Sequence, residues 1–228
     1  RDRYMSRIRP FIGGELIKVM TGIRRSGKSV MLELIKEELA AAGVDKSQVI
    51  SINFEDMRYA RLQTAAALHD EIIKRAADIE GKVYLFFDEI QEVADWEKCV
   101  NSLRVALDCD IYITGSNAKL LSGELATYIG GRYVEFVIYP FSFAEFLELY
   151  RTIAPDESIQ QCFQRYLLAG GMPYLSNLRY EEEPSRQYLT DLFNSVQLKD
   201  IVKRNKIRDV DLLERIIACL LYTSDAAD

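Results

Sequence analysis

Two short stretches of the 228-residue chain contain residue types whose spacing suits phosphate chemistry. The first, GIRRSGKS, fits the pattern G-x-x-x-x-G-K-[ST] through Gly22, Gly27, Lys28 and Ser29. In such a loop, backbone N–H groups of a glycine-rich turn point at an anion, and the following helix adds the positive end of its dipole. The stretch therefore predicts a phosphate-binding loop.

The pattern assigns a role to each part of this loop. Lys28 is expected to reach the β- and γ-phosphates as a positive charge, and Ser29 to offer its hydroxyl to Mg²⁺. The side chains of Arg24 and Arg25 either contact phosphate or lie in solvent. The predicted nucleotide-binding residues of the loop are Gly22, Ile23, Arg24, Arg25, Ser26, Gly27, Lys28, Ser29 and Val30.

The second stretch, VYLFFDE, reads as a buried strand that ends in Asp88 and Glu89. A carboxylate at the carboxyl end of a parallel strand lies at the rim where ligands bind in open α/β sheets. Asp88 is suited to hold Mg²⁺ through its water shell, together with Ser29. Glu89 is suited to polarise the attacking water beside the γ-phosphate. A glutamate directly after the aspartate favours ATP hydrolysis over phosphorylation of a small molecule.

The elements that must position these residues alternate between strands and helices. Apolar runs predict strands at 17–21, 49–54, 83–87, 111–114 and 133–137, with helices at 28–42, 64–80, 96–107 and 119–128. This alternation predicts right-handed crossovers and a parallel sheet flanked by helices. After Pro140 only helices are predicted, at 141–151, 158–168, 186–202 and 209–221.

We therefore expect an α/β fold with three parts. The first is a P-loop NTPase core with a five-stranded parallel sheet at 1–140, and the second is a small all-helical lid at 141–182. The third, at 183–228, is the start of a helical segment that is cut short. The chain begins with Arg rather than Met, which suggests that its beginning is also missing.

Composition narrows the classes of partner. The net charge of −6 argues against non-specific attraction to nucleic acid. DNA binding rests only on the basic stretch from Lys199 to Arg208, and a helix end in solvent is the alternative interpretation. No stretch approaches the roughly 18 apolar residues of a membrane span, and no apolar region follows the basic start. Four scattered cysteines and one histidine fit a reducing cytoplasm and argue against a Cys/His metal site.

Six motifs follow one another in the order GIRRSGKS, VYLFFDE, IYITGSN, GGRYVEF, YPFSFAEFL and AGGMPY. Over about residues 1–200 this series resembles the AAA-type ATPase superfamily. More narrowly, it is similar to bacterial and archaeal predicted ATPases whose ATPase core precedes an uncharacterised C-terminal domain. Members of that family are usually much longer, so most of that domain is expected to be absent here. The resemblance implies Mg-ATP as the ligand.

The resemblance also implies roles for two residues of later motifs. Ser116 matches a sensor position, where a polar side chain helps to orient the lytic water; Thr114 and Asn117 are alternatives for that role. Ser116 and Asn117 would otherwise only cap a helix. Arg132 matches an arginine finger, which acts on the γ-phosphate of a neighbouring subunit and so implies a homo-oligomer. The alternative is an arginine with a local ion-pair partner.

The stretch Gly170-Gly171-Met172-Pro173 resembles a glycine–proline motif that closes over the nucleotide, which makes Pro173 a candidate contact. The alternative is a turn that only ends a helix. Two functions remain open at this point, with a small-molecule kinase as a weaker third. Hydrolysis of ATP either drives or signals a change in an attached C-terminal domain, or the chain is a slow nucleotide-dependent switch in which hydrolysis is incidental.

Overall fold

The apolar runs form one parallel sheet. The computed structural model of the chain describes residues 1–115, 129–196 and 210–225. Its strands are β1 (Ile17–Thr21), β2 (Val49–Asn53), β3 (Val83–Asp88), β4 (Cys109–Thr114) and β5 (Tyr133–Val137). They pair in parallel in the order β2-β3-β4-β1-β5, so β4 separates the strand before the phosphate loop from the strand that ends in Asp88. The predicted α/β fold is confirmed.

Helices connect these strands and continue after them. They are α1 (Asp2–Ile8), α2 (Lys28–Ala41), α3 (Ala65–Ala76), α4 (Trp96–Ala106), α5 (Phe143–Tyr150), α6 (Ile159–Ala169), α7 (Glu182–Val196) and α8 (Val210–Asp225). Ser142 and Ser158 are the N-cap residues of α5 and α6, and each forms a capping box. These capping boxes explain why the two helices start sharply. The helix predicted at 119–128 lies outside the described residues. Among the described helices, none is long and apolar enough to cross a membrane.

Both faces of the sheet are covered, which explains why its strands read as continuous apolar runs. Side chains alternate along β1: Ile17 and Val19 belong to a buried cluster that includes residues of α3 and α4. Met20 belongs to a second cluster, on the other face, with residues of α1 and α2. In open parallel sheets covered on both faces, ligands bind outside the carboxyl ends of the strands.

An ion pair lies inside the sheet, away from the predicted site. Lys18 of β1 and Asp110 of β4 are paired with both side chains 0% exposed. Asp110 also accepts hydrogen bonds from the Tyr112 hydroxyl at 2.7 Å and the Gly13 N–H at 2.6 Å, and Lys18 donates to the Gly14 carbonyl at 3.0 Å. Burial lowers the pKa of Lys18 and raises the pKa of Tyr112. Since each buried charge keeps its partners, the network fastens the loop before β1 to the sheet.

The contacts group the chain into two compact units, Arg1–Ser176 and Asn177–Asp228. The first unit contains the sheet with α1 to α6. The second contains α7 and α8, and α8 exposes Leu212, Ile216 and Leu220 at every fourth position. The predicted division at residues 140 and 182 stays a prediction. The basic stretch from Lys199 to Arg208 lies outside the described residues.

Candidate nucleotide site

The phosphate loop leaves β1 directly and runs into α2, as its motif predicts. Gly22 has φ of 146° and Gly27 has φ of 103°, in the region that favours glycine. A Cβ on Gly22 would lie 2.2 Å from the carbonyl oxygen of Ile138, so only glycine fits where the loop passes the end of β5. The two glycines of the motif are therefore required by the path of the backbone.

Lys28 lies beneath this loop with only 5% of its surface exposed. Its Nζ donates to the carbonyl oxygens of Gly22 at 3.3 Å and Ile23 at 3.2 Å. The same Nζ lies 3.8 Å from Oε1 of Glu89. The fold thus brings together the lysine and the glutamate that the two separate motifs single out.

Ser26 adds an observation that fits an anion at the loop. Its side chain is buried, and its Oγ has no hydrogen-bond partner within the part of the chain that the structure describes. A buried hydroxyl without a partner costs about 1–3 kcal/mol, and most such groups in proteins are satisfied. A phosphate oxygen is an acceptor that would satisfy this donor.

The other side chains of the loop face outward. Ile23 and Val30 are 52% and 55% exposed, and Arg25 is exposed with φ of 62°. Arg24 pairs with Glu55 at 3.2 Å between Nη2 and Oε1. In this arrangement the loop presents Arg24 to a neighbouring carboxylate, and its contact with phosphate stays a prediction.

The Asp88 carboxylate, at the end of β3, is held by residues of both adjacent strands. Asn53 of β2 donates from Nδ2 to Oδ2 at 3.2 Å, and the Thr114 hydroxyl of β4 donates to Oδ1. Thr114 Oγ1 also accepts the backbone N–H of Glu89 at 3.0 Å. Asp88 is 7% exposed. Thr114 therefore orients both acidic residues of the motif at once.

Glu89 has a backbone conformation that suits its proposed place. Its φ of 55° lies in the left-handed region, which costs a non-glycine residue roughly 1–3 kcal/mol. The Gln91 side-chain amide donates to its carboxylate on one side, and Lys28 approaches on the other. The unusual φ accompanies a carboxylate turned toward the phosphate loop.

The predicted oxygen ligands for a hard cation are Asp88, at the end of β3, and Ser29, which is exposed in the first turn of α2. Among the described residues, no group of three or more His, Cys, Asp or Glu side chains is arranged to hold a metal. Mg²⁺ usually keeps several waters and takes one or two carboxylates with substrate phosphates, so it does not need such a group. A carboxylate and a hydroxyl beside a phosphate loop fit that ion.

Arg132 directly precedes β5 and lies at the end of the sheet opposite the phosphate loop. Its carbonyl accepts the N–H of Ile17, the first residue of β1, at 3.0 Å. Its guanidinium donates to Oδ1 of Asn101 at 3.0 Å. The five residues of β1, at about 3.3 Å each, put the backbone of Arg132 roughly 16 Å from the start of the loop. The fold does not bring Arg132 to the phosphate loop of its own chain.

Two predicted site residues, Ser116 and Pro173, remain. Ser116, like Asn117, lies outside the described residues, so its sensor role stays a prediction. Pro173 begins a short 3-10 turn, Pro173–Ser176. Just before it, Gly171 accepts the Phe141 N–H at 2.7 Å, and a Cβ on Gly171 would lie 2.1 Å from the Phe141 carbonyl oxygen. The glycine–proline stretch is thus packed closely against the segment that follows β5.

Sequence reasoning missed Asn53 and treated Thr114 only as an alternative. The available signal was a polar residue at the carboxyl end of a strand, which both share with Asp88. That signal becomes specific only when β2 and β4 are known to flank β3.

Comparison with known proteins gives the family. The model of a family described as an AAA domain matches residues 15–147. An uncharacterised protein of Haemophilus influenzae is 38% identical over 220 residues, which is 96% of this chain and 54% of the relative. An uncharacterised protein of Methanocaldococcus jannaschii is 34% identical over 203 residues, 85% of this chain and 44% of the relative. The chain spans about half the length of these curated relatives.

Solved structures show the same fold at low identity. DnaA from Aquifex aeolicus, bound to AMPPCP, has a TM-score of 0.51 and 14% identity, covering 93% of this chain and 66% of that one. A mutant of Thermotoga maritima RuvB has a TM-score of 0.52 and 14% identity, covering 87% and 69%. Since the AAA domain model covers more than half of the chain, and the sheet and loop share the fold of these proteins, the chain belongs to the AAA family of P-loop ATPases.

Proposed function

We propose that the chain binds Mg-ATP at Gly22–Ser29 and hydrolyses it, and that turnover drives or signals a conformational change in an attached C-terminal domain. One observation carries the proposal. Lys28 of the loop and Glu89 of the acidic motif approach within 3.8 Å, beside an Asp88 carboxylate that two strands orient. A positive charge suited to phosphate, a candidate base and a carboxylate suited to Mg²⁺ therefore lie together at the carboxyl ends of the strands.

The residues would divide the chemistry as follows. Lys28 exchanges its two loop carbonyls for phosphate oxygens, and Glu89 orients the attacking water and receives its proton. Mg²⁺, held through Ser29 and Asp88, would neutralise charge on the phosphates. Thr114 keeps Asp88 and the backbone of Glu89 in place. Ser26 supplies a buried hydroxyl to a phosphate oxygen.

Replacing Thr114 by valine tests the positioning of the acidic pair. The substitution keeps the shape but leaves the Glu89 N–H without its acceptor and Asp88 without one donor. We expect ATP hydrolysis to fall by about tenfold to a hundredfold, because small misplacements of catalytic groups are costly. Phosphate release and ATP affinity are measured together. Thr114→Ser, which keeps the hydroxyl, should retain most of the activity; a Thr114→Val protein with wild-type turnover would exclude this role.

Arg132 supports a head-to-tail oligomer as the active form. Because Arg132 lies at the end of β1 opposite its own loop, it can complete a nucleotide site only in another copy of the chain. We expect phosphate release per subunit to rise with protein concentration in the wild type. Arg132→Ala should remove that rise, whereas Asn101→Ala, which removes only the local hydrogen-bond partner, should preserve it.

A mixing experiment makes this prediction sharper. Lys28→Ala keeps Arg132 but lacks a working site, and Arg132→Ala keeps the site but lacks the arginine. We expect each variant alone to be nearly inactive and their mixture to recover part of the wild-type rate. No recovery in an assembly that contains both variants would restrict Arg132 to its local contact with Asn101.

A slow nucleotide-dependent switch is the second candidate function. The position of Arg132 favours the switch if the chain acts as a monomer, because Arg132 could not then serve as an arginine finger for its own site. In that case ATP would hold one conformation, and hydrolysis would be incidental. A negligible rate at every protein concentration, with ATP retained tightly, would support the switch over the hydrolysing assembly.

A further inference from the structure

Arg1 connects the phosphate loop to the segment that follows β5. Its Nη2 donates to the Ser26 carbonyl at 2.7 Å. Its Nη1 donates to the Tyr139 carbonyl at 3.0 Å and approaches Oε1 of Glu145 at 3.3 Å. The side chain is only 7% exposed, and the guanidinium lies 4.6 Å from the centre of the Phe141 ring. Three separate parts of the first unit therefore meet at one side chain.

The contacts continue beyond Arg1 on the side away from the loop. Glu145 uses Oε1 for Arg1 and Oε2 for the N–H and hydroxyl of Ser142, so the same carboxylate caps α5. Phe141, which packs on Arg1, donates its N–H to Gly171 at 2.7 Å and accepts the Tyr166 hydroxyl at 2.8 Å. Hydrogen bonds on either side, joined by the contact between the Arg1 guanidinium and the Phe141 ring, thus link the phosphate loop to the Gly170–Pro173 turn.

Arginine is suited to this position in a way that lysine is not. The planar guanidinium offers five N–H donors in a fixed geometry, and it stacks on aromatic rings. It can therefore hold two carbonyls and a carboxylate in fixed relative positions. It also lies against the loop itself, since its Nη2 is 3.2 Å from where a Cβ on Gly27 would be. A shift of Ser26 would break its hydrogen bond with Arg1 unless the guanidinium moved with it.

We propose that Arg1 is a positioning residue that couples the phosphate loop to the Gly170–Pro173 turn, so that ATP binding at the loop changes the packing of that turn. This inference rests on the proposed function of the loop as an ATP site. Arg1 itself does not contact the reacting atoms. It acts through Ser26 on one side and through Glu145 and Phe141 on the other.

The test is hydrogen exchange of the full chain with and without saturating Mg²⁺ and the analogue AMPPCP. In the wild type, the analogue should slow exchange at 22–30 and also at 170–176, in each case by about tenfold or more. In Arg1→Lys, exchange at 22–30 should still slow at saturating analogue, but the response at 170–176 should be lost. An unchanged response at 170–176 in Arg1→Lys would overturn the coupling.

Two further variants keep the result interpretable. Glu145→Gln retains a capping-box residue for α5 but removes the charge that faces Arg1, so it should also lose the response at 170–176. If Arg1→Lys does not fold, Glu145→Gln alone tests the coupling. Arg9→Lys is the control: Arg9 belongs to the same N-terminal segment as Arg1, but it pairs with Glu38 of α2 at the surface. This variant should behave as the wild type. If the analogue protects neither region in the wild type, the ATP site itself is wrong; protection at 22–30 alone overturns only the coupling.

Discussion

Glu89→Gln is expected to leave ATP binding nearly unchanged and to slow hydrolysis by about 10²–10³-fold. The reason is that glutamine keeps the size and hydrogen-bonding ability of the side chain but cannot accept the proton of the attacking water, a contribution typically worth about 10²–10⁴. The substitution also keeps the strained backbone with φ of 55° occupied by a residue of the same shape. Phosphate release under saturating ATP, together with equilibrium ATP binding, measures both parts.

The matched control is Glu92→Gln. Glu92 is an exposed carboxylate in the short turn that follows Glu89, so the change in net charge is the same while the proposed base remains. Its rate should equal that of the wild type. Wild-type turnover in Glu89→Gln would show that another group activates water, and the assignment of the base would then be rejected.

Lys28→Ala is expected to weaken ATP binding by about 100-fold. The buried ammonium offers two or more charge-assisted hydrogen bonds to phosphate, each worth about 1.5 kcal/mol or more, and about 1.4 kcal/mol corresponds to a factor of ten. In the structure this ammonium already lies under the loop, bonded to the carbonyls of Gly22 and Ile23. Calorimetric titration with Mg-ATP measures the loss directly.

A lysine elsewhere on the same helix serves as the comparison. Lys36 of α2 pairs with Glu33 at 2.8 Å on the helix surface, so Lys36→Ala removes a positive charge without touching the loop. Its ATP affinity should match the wild type. Thermal unfolding of both variants without ATP separates a collapsed loop from a lost phosphate contact. If Lys28→Ala binds ATP as tightly as Lys36→Ala, the loop is not the nucleotide site.

Local pattern was sufficient to predict the five strands and the helices after them, although α1 was not predicted. The strand that precedes Gly22 and the helix that starts at Lys28 follow from an apolar run, a glycine turn and a helical period, all within about 25 residues. The strand ending at Asp88 follows from a continuous apolar run bounded by charge. Such signals depend on neighbours in the chain, so they survive without knowledge of tertiary contacts.

The neighbours of these residues in space were not predictable in the same way. The chain order of the strands does not state that β4 lies between β1 and β3, because parallel crossovers permit several strand orders. That order decides that Thr114 touches Asp88 and that Asn53 reaches it from the other side. Arg1 was not identified at all, since its partners Ser26, Tyr139 and Glu145 are distant in sequence.

The sequence by itself therefore determined the chemical groups of the site: a phosphate loop with Lys28 and Ser29, and the carboxylates Asp88 and Glu89 at a strand end. Only the tertiary structure decided which of these groups lie close together. It placed Glu89 next to Lys28, and it placed Arg132 at the opposite end of the strands from the phosphate loop. Residue types follow from local chemistry, whereas relative positions follow from how the strands pair and the helices pack across many residues.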